Sequence, residues 1–195
     1  MKRIQIAWGL ALKVGERVGG AGVCILALCI VIPLILGNWP ITGCYSTPIQ
    51  PTVPFEPAYR LAATEFVPWE WLAGQGWKES AGFQSRYVYG PDEGGAGERG
   101  VAQFMAATWD EWGRGEDPWD PNAAIAAQGR YMEWLAGYMQ ANGRKPTLPW
   151  ATMGYLHGPT GALRYQTLEA FPERSRQYLK EIQDYRDLIK EKNDE

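Results

Sequence analysis

The chain has 195 residues, 46% of them apolar and 21% charged, which suffices for one domain with its own core and rules out disorder by composition. A net charge of −3 and a pI near 5.3 leave no general basic surface and argue against nucleic acid as a partner. With one histidine, His157, and three cysteines that all lie at or before Cys44, no Cys/His zinc cluster or paired-His metal site can be assembled, a poverty that agrees with a chemistry needing neither metal nor organic cofactor.

Residues 1–17 carry Lys2, Arg3, Lys13 and Arg17 against Glu16 alone. Residues 18–37, VGGAGVCILALCIVIPLILG, follow without a charge and match the length of about 20 residues that a helix needs to cross a bilayer. The positive flank predicts a cytoplasmic N-terminus and a single-pass anchor, with the C-terminal domain outside the cytoplasm on the periplasmic or cell-wall side. A cleaved secretory signal is the alternative. A second alternative is a lipoprotein, since Ile41-Thr42-Gly43-Cys44 resembles a bacterial lipobox with Cys44 as the lipidated residue, although Asn38-Trp39-Pro40 separates it from the apolar run. Cys24 and Cys29 fall inside the span and read as lipid-buried. Residues 38–58 place prolines at 40, 48, 51, 54 and 57, which favours an extended polyproline II spacer reaching about 60 Å.

From Tyr59 onward the periodicity is helical and no alternating strand run stands out, so residues 59–195 are expected to form an all-α domain. The expected helices are 59–66, 68–80, 102–112, 121–141, 148–156 and 172–190, with Pro68, Pro121 and Pro172 suited to first turns. The ten tryptophans belong either to the core or to flat surfaces on which sugar rings stack. The charged tail from Ser175 reads as a last helix packed on the domain, because its repeat is too short for a coiled coil.

On the helix 68–80, Trp69, Leu72, Gly76 and Glu79 share one stripe, so Glu79 points the way the apolar side chains point. It also stands at the helix C-terminus, where the macrodipole is negative. Burial and that dipole both disfavour the ionised form and predict a raised pKa. A carboxylic acid that keeps its proton near neutral pH is what protonation of a leaving sugar oxygen requires. The competing expectation is a surface glutamate paired with Lys78 or Arg86.

Four short motifs then occur in order. Glu79-Ser80-Ala81-Gly82-Phe83 is followed by Gly100-Val101-Ala102-Gln103-Phe104 with Thr108, and by Asp120-Pro121-Asn122-Ala123-Ala124-Ile125 with Tyr131 and Leu135. Gly154-Tyr155-Leu156-His157-Gly158-Pro159 precedes Tyr178-Leu179. Together they resemble the lytic transglycosylase domain of the soluble-lytic-transglycosylase type, in the lysozyme-like superfamily. The resemblance implies that Glu79 is the catalytic acid and base, that Gln103 and Tyr155 line the substrate groove, and that the Tyr178 hydroxyl positions the acid. Two departures stand out. Leu156 replaces a family Asn, a loss that His157 beside it is placed to make good. The loop Tyr89 to Arg99, YGPDEGGAGER, is longer and in this resembles goose-type lysozymes, which makes Asp92 the candidate second carboxylate.

The implied substrate is peptidoglycan, cut at the β-1,4 bond between N-acetylmuramic acid and N-acetylglucosamine with a 1,6-anhydro product. A goose-type muramidase that uses water, and a catalytically idle glycan-binding scaffold, remain as alternatives. The implied partners are glycan strands, the membrane through the N-terminal helix, and an envelope-spanning secretion, conjugation or phage machine.

Overall fold

The computed structural model describes residues 52–91 and 93–193. The expected anchor, the three cysteines, the spacer as far as residue 51 and Asp92 lie outside them. Among the described residues all the regular structure is helical, as expected, and the one β-bridge, between Arg99 and Phe104, closes a turn. No helix among them is long and apolar enough to cross a membrane.

The elements are α1 (Glu56–Ala62), α2 (Trp69–Glu79), α3 (Ser85–Val88), α4 (Ala106–Trp112), α5 (Pro121–Ala141), α6 (Leu148–His157), α7 (Pro159–Ala162), a 3₁₀ turn (Leu168–Ala170) and α8 (Glu173–Asn193). Helix α1 begins at Glu56 with Pro57 in its first turn, so the end of the expected spacer is helical, and it stops four residues before the predicted Phe66. It stops there because Thr64 folds the chain back: its amide donates to the Val67 carbonyl at 3.0 Å and its hydroxyl accepts from the Val67 amide at 3.0 Å. Helix α4 starts at Ala106 instead of Ala102, since Gln103 adopts a left-handed φ of 50° inside the turn that the Arg99–Phe104 bridge closes. Helices α3 and α7 were not expected, and at four residues each they carry no readable period.

Helix α2 is the element on which the rest packs. Its residues 69 and 71–76 are buried, and it lies against α1 and α8 and touches α5. Trp71 donates from Nε1 to the Thr152 hydroxyl at 3.1 Å and ties α2 to α6. Gln128 on α5 donates to the Leu72 carbonyl at 3.2 Å. On α8, Tyr178, Ile182, Tyr185 and Ile189 follow the helical period and are all buried, which makes the tail the expected packed helix. Each buried aliphatic of that stripe contributes about 1.5–3 kcal/mol relative to exposure. Four tryptophans, 69, 71, 109 and 150, go to the core, while Trp134 is exposed.

The α2–α8 contact is close because Gly74 has no side chain. A Cβ there would stand 2.7 Å from the Ile182 carbonyl oxygen, which is backbone and cannot rotate away. Replacing Gly74 with Ala therefore forces the two helices apart. The expected loss is about 1–3 kcal/mol in denaturant unfolding, typical of overpacking; a variant as stable as the parent contradicts a backbone contact at this position.

Candidate active site

Glu79 is the last residue of α2, and the chain behind it is held by Ser80. The Ser80 hydroxyl donates to the Gly76 carbonyl at 2.7 Å and accepts from the Phe83 amide at 3.0 Å, while the Ser80 amide closes the final helical turn onto Gly76 at 3.0 Å. Ala81, Gly82 and Phe83 then take φ values of 51°, 82° and 60°, three left-handed residues in succession. Only the glycine does so without steric cost. Trp77 stacks on Tyr185 of α8 at 4.7 Å between ring centroids, and Phe83 packs edge-on to the same ring. The turn is thus fastened to α8.

The Glu79 carboxyl stands in a cleft of about 530 Å³ whose walls include Leu156 and His157 from α6 and Arg174 and Tyr178 from α8. Glu79 itself is half-buried. Its pKa is pushed up from 4.5 to about 7, chiefly by burial and further by the charge of Glu98, while a hydrogen bond from Tyr178 and the charge of Lys78 act the other way. Tyr178 reaches it across the interhelical contact, its hydroxyl donating to Glu79 Oε1. Neither surface pairing expected for Glu79 forms: Lys78 pairs with Glu181 of α8. Arg86 instead donates to the Gln84 side chain at 3.1 Å.

The other expected site residues divide. Tyr155 lies close enough that the Glu79 carboxylate, after burial, is the next cause pushing its own pKa well up, so it stays a neutral phenol. Its hydroxyl donates to the Ala102 carbonyl at 2.6 Å, which ties the loop 99–104 to α6. His157 lines the cleft, shares a hydrogen bond of 2.9 Å with the Ser175 hydroxyl, and has its pKa lowered by burial. It is therefore a neutral imidazole at pH 7 with one nitrogen engaged. Leu156 projects into the cleft at 40% exposure. Gln103 is turned inward to its own loop, its side-chain amide donating to the Gly100 carbonyl at 2.9 Å.

Asp92, the candidate second carboxylate, lies outside the described residues. Among the described residues, Glu98 is the carboxylate whose charge raises the Glu79 pKa. Its Oε2 accepts from the Ala96 amide at 2.8 Å, and it is held in a turn in which Gly94 donates to the Glu98 carbonyl at 2.8 Å. Nothing in the spacing of YGPDEGGAGER singles Glu98 out from Asp92 or Glu93. Among the described residues no group of three or more His, Cys, Asp or Glu side chains is clustered as a metal site would be.

Comparison with protein-family models, curated proteins and solved structures finds no match.

The raised pKa carries a stability prediction. Between pH 4.5 and about 7 the unfolded chain has this carboxyl ionised while the folded protein keeps the proton. The folded state then binds more protons, so stability falls as pH rises through that window and levels off above it. Thermal melts of Glu79→Gln are expected to lie above those of the parent at pH 8 and to lose that advantage as pH falls to 4.5. A constant gap across the range contradicts a buried acid. Ser80→Ala, which strips the turn of a donor and an acceptor, is expected to cost about 1–3 kcal/mol at any pH in the same experiment.

Proposed function

We infer that the domain has a lysozyme-like fold and cleaves the glycan strands of peptidoglycan as a lytic transglycosylase, at the β-1,4 bond from N-acetylmuramic acid to N-acetylglucosamine. The observation that carries this reading is the Glu79 carboxyl, with a pKa of about 7, hydrogen-bonded by Tyr178 in an open cleft. The order of motifs described above supports the same conclusion. In the first step, protonated Glu79 gives its proton to the glycosidic oxygen as the bond from that oxygen to the muramoyl C1 breaks, releasing the 4-hydroxyl of the next sugar. In the second, the Glu79 carboxylate takes the proton of the muramoyl 6-hydroxyl as O6 bonds to C1. No water is consumed, and Glu79 ends protonated as it began.

A pKa near the working pH suits both halves, because one group must be acid and then base within a turnover. Tyr178 stabilises the carboxylate that the first step creates, and so eases release of the proton to the glycosidic oxygen. The neutral His157 and Tyr155 add no charge to a cleft that has to accept developing positive charge at C1. Arg174 at the rim is the cleft's cation besides Lys78, which Glu181 holds.

Hydrolysis as in goose-type lysozymes is the second reading, and Glu98 favours it. A second carboxylate within electrostatic reach of the acid is where a water could be activated. In either case the domain works outside the cytoplasm, tethered by the segment 18–37 and serving a machine that crosses the cell wall, with a lipid at Cys44 as the alternative tether. A scaffold without activity is the outcome that Leu156 would explain.

Purified wall digested by the full chain is expected to yield fragments ending in 1,6-anhydro-muramic acid, each lighter by one water than the hydrolytic product, as read by mass spectrometry. Activity is expected to fall on the alkaline side with a midpoint near pH 7, because the acid must be protonated. Glu79→Gln should lower turnover by about 10²–10⁴, the range typical of a general acid. Hydrated ends would replace the transglycosylase with the muramidase, and an inert parent protein would leave the scaffold.

A further inference from the structure

On α8, Arg174, Tyr178 and Glu181 follow one another at spacings of four and three, so they share one face of the helix, and all three line the cleft that holds Glu79. Arg174 stands one turn, about 6 Å along the axis, from the phenol that donates to the acid. The charges on this face do not balance. Glu181 is paired with Lys78, and Arg176, close by in the chain, is paired with Glu173. Among the described residues Arg174 is in no ion pair and no hydrogen bond, and it lines the cleft as an exposed side chain. His157 on the α6 wall is a neutral imidazole. With Glu79 protonated, the cleft therefore keeps one uncompensated positive charge.

A cation without a partner in a concave wall favours an anion on whatever enters, because the cleft focuses its field. The strand inferred above supplies one. N-Acetylmuramic acid differs from N-acetylglucosamine by a lactyl group on O3 that ends in a carboxyl. On a bare strand this carboxyl is free, and on a substituted strand it carries a peptide with carboxylates of its own. A strand of N-acetylglucosamine alone has no charge. When the muramoyl C1 lies at Glu79, the O3 arm leaves the same sugar ring, one turn of α8 from the unpaired guanidinium.

We propose that Arg174 forms a carboxylate subsite in this cleft: its guanidinium takes the carboxylate borne by the O3 arm of the muramoyl unit and so selects muramoyl strands over strands of N-acetylglucosamine alone. The substrate in this statement rests on the function inferred above; the unpaired cation in the cleft does not. A guanidinium presents its N–H groups as a fork that matches the two oxygens of a carboxylate. The lactyl carboxylate and those of the attached peptide share this chemistry, and different probes separate them.

The test uses the full chain and disaccharides that lack the bond from N-acetylmuramic acid to N-acetylglucosamine and so are not cut. The probes are diacetylchitobiose, GlcNAc-β-1,4-MurNAc, and the latter disaccharide with its stem peptide attached. Dissociation constants are read by NMR titration at low and high salt for the parent, Arg174→Gln and Arg174→Lys, with thermal melts of each. At low salt the parent is expected to bind a carboxylate-bearing probe about fivefold more tightly than chitobiose, the upper range for an exposed ion pair. A preference already present for the bare disaccharide assigns the lactyl carboxylate, and one confined to the third probe assigns the peptide. Arg174→Gln is expected to abolish the preference while leaving chitobiose binding and the melting temperature unchanged. High salt is expected to weaken it in the parent, and Arg174→Lys to retain part of it, since the charge is kept and the fork is lost. A parent that binds all three probes alike, or none of them, overturns the proposal. So does a preference that survives Arg174→Gln, or an Arg174→Gln protein that binds every probe more weakly by the same factor. Wall digestion is followed in parallel. A parent with the Arg174-dependent preference that cuts no wall removes the enzymatic reading and leaves the subsite, whereas one that cuts wall without the preference removes the subsite alone.

Discussion

The hydrogen bond from Tyr178 to Glu79 joins residues 99 positions apart in the chain and spans the contact between α2 and α8. It exists only if that contact is close and in register. Gly74 allows the approach of the two backbones, the buried stripe from Tyr178 to Ile189 sets which face of α8 is presented, and the Ser80 turn stops α2 at the residue that must carry the acid. The domain's largest helix–helix contact and its candidate chemistry are therefore one feature. A change that loosens α8 alters stability and the acid together.

Among the described residues four influences set the state of that acid, and their ranking explains why it titrates near neutrality. Burial dominates and drives the pKa up. The Tyr178 bond comes second and opposes it, with Glu98 and Lys78 following at opposite signs. Burial unopposed would give a carboxyl that holds its proton and releases it reluctantly. A strong ion pair with Lys78 would give an ordinary carboxylate, but Lys78 is held by Glu181. The site thus keeps a cation nearby without letting it neutralise the acid.

Much of this was legible in the sequence. Helix α5 is bounded by Asp120 and Pro121, with the Asp120 side chain accepting from the Asn122 amide, and its limits read correctly because capping chemistry is local. The direction of Glu79 followed from its place on the Trp69–Leu72–Gly76 stripe. The turn of residues 100–104 was not legible, since a non-glycine residue with positive φ leaves no periodic trace and Gln103 reads like any helix former. Glu98 was hidden for another reason: a glycine-rich loop with several acids gives no register from which to tell which one faces the site. Gln75 gives no signal of its own, because a polar residue among apolar ones on a helix looks like an interruption, and only the fold shows it fully buried.

The distribution of local cost across the domain bears on whether the cleft is functional. Of the five non-glycine residues with positive φ, Ala81 and Phe83 flank the turn behind Glu79, and Gln103 sits in the loop that Tyr155 secures. The unpaired buried polar atoms include the Gln75 amide on α2 and the Tyr59 hydroxyl of α1, which is set against Gly76, the next residue of α2. The interface of α5 with α6, by contrast, is built from Met132, Leu135, Met139 and Met153, all fully buried and apolar. Strain of order 1–3 kcal/mol per residue persists only where surrounding structure holds it, and such costs gather at sites that bind or react. A glutamate that merely solvated a helix end would need none of them. The backbone strain behind Glu79 and the unpaired Gln75 amide place two independent local costs at this end of α2.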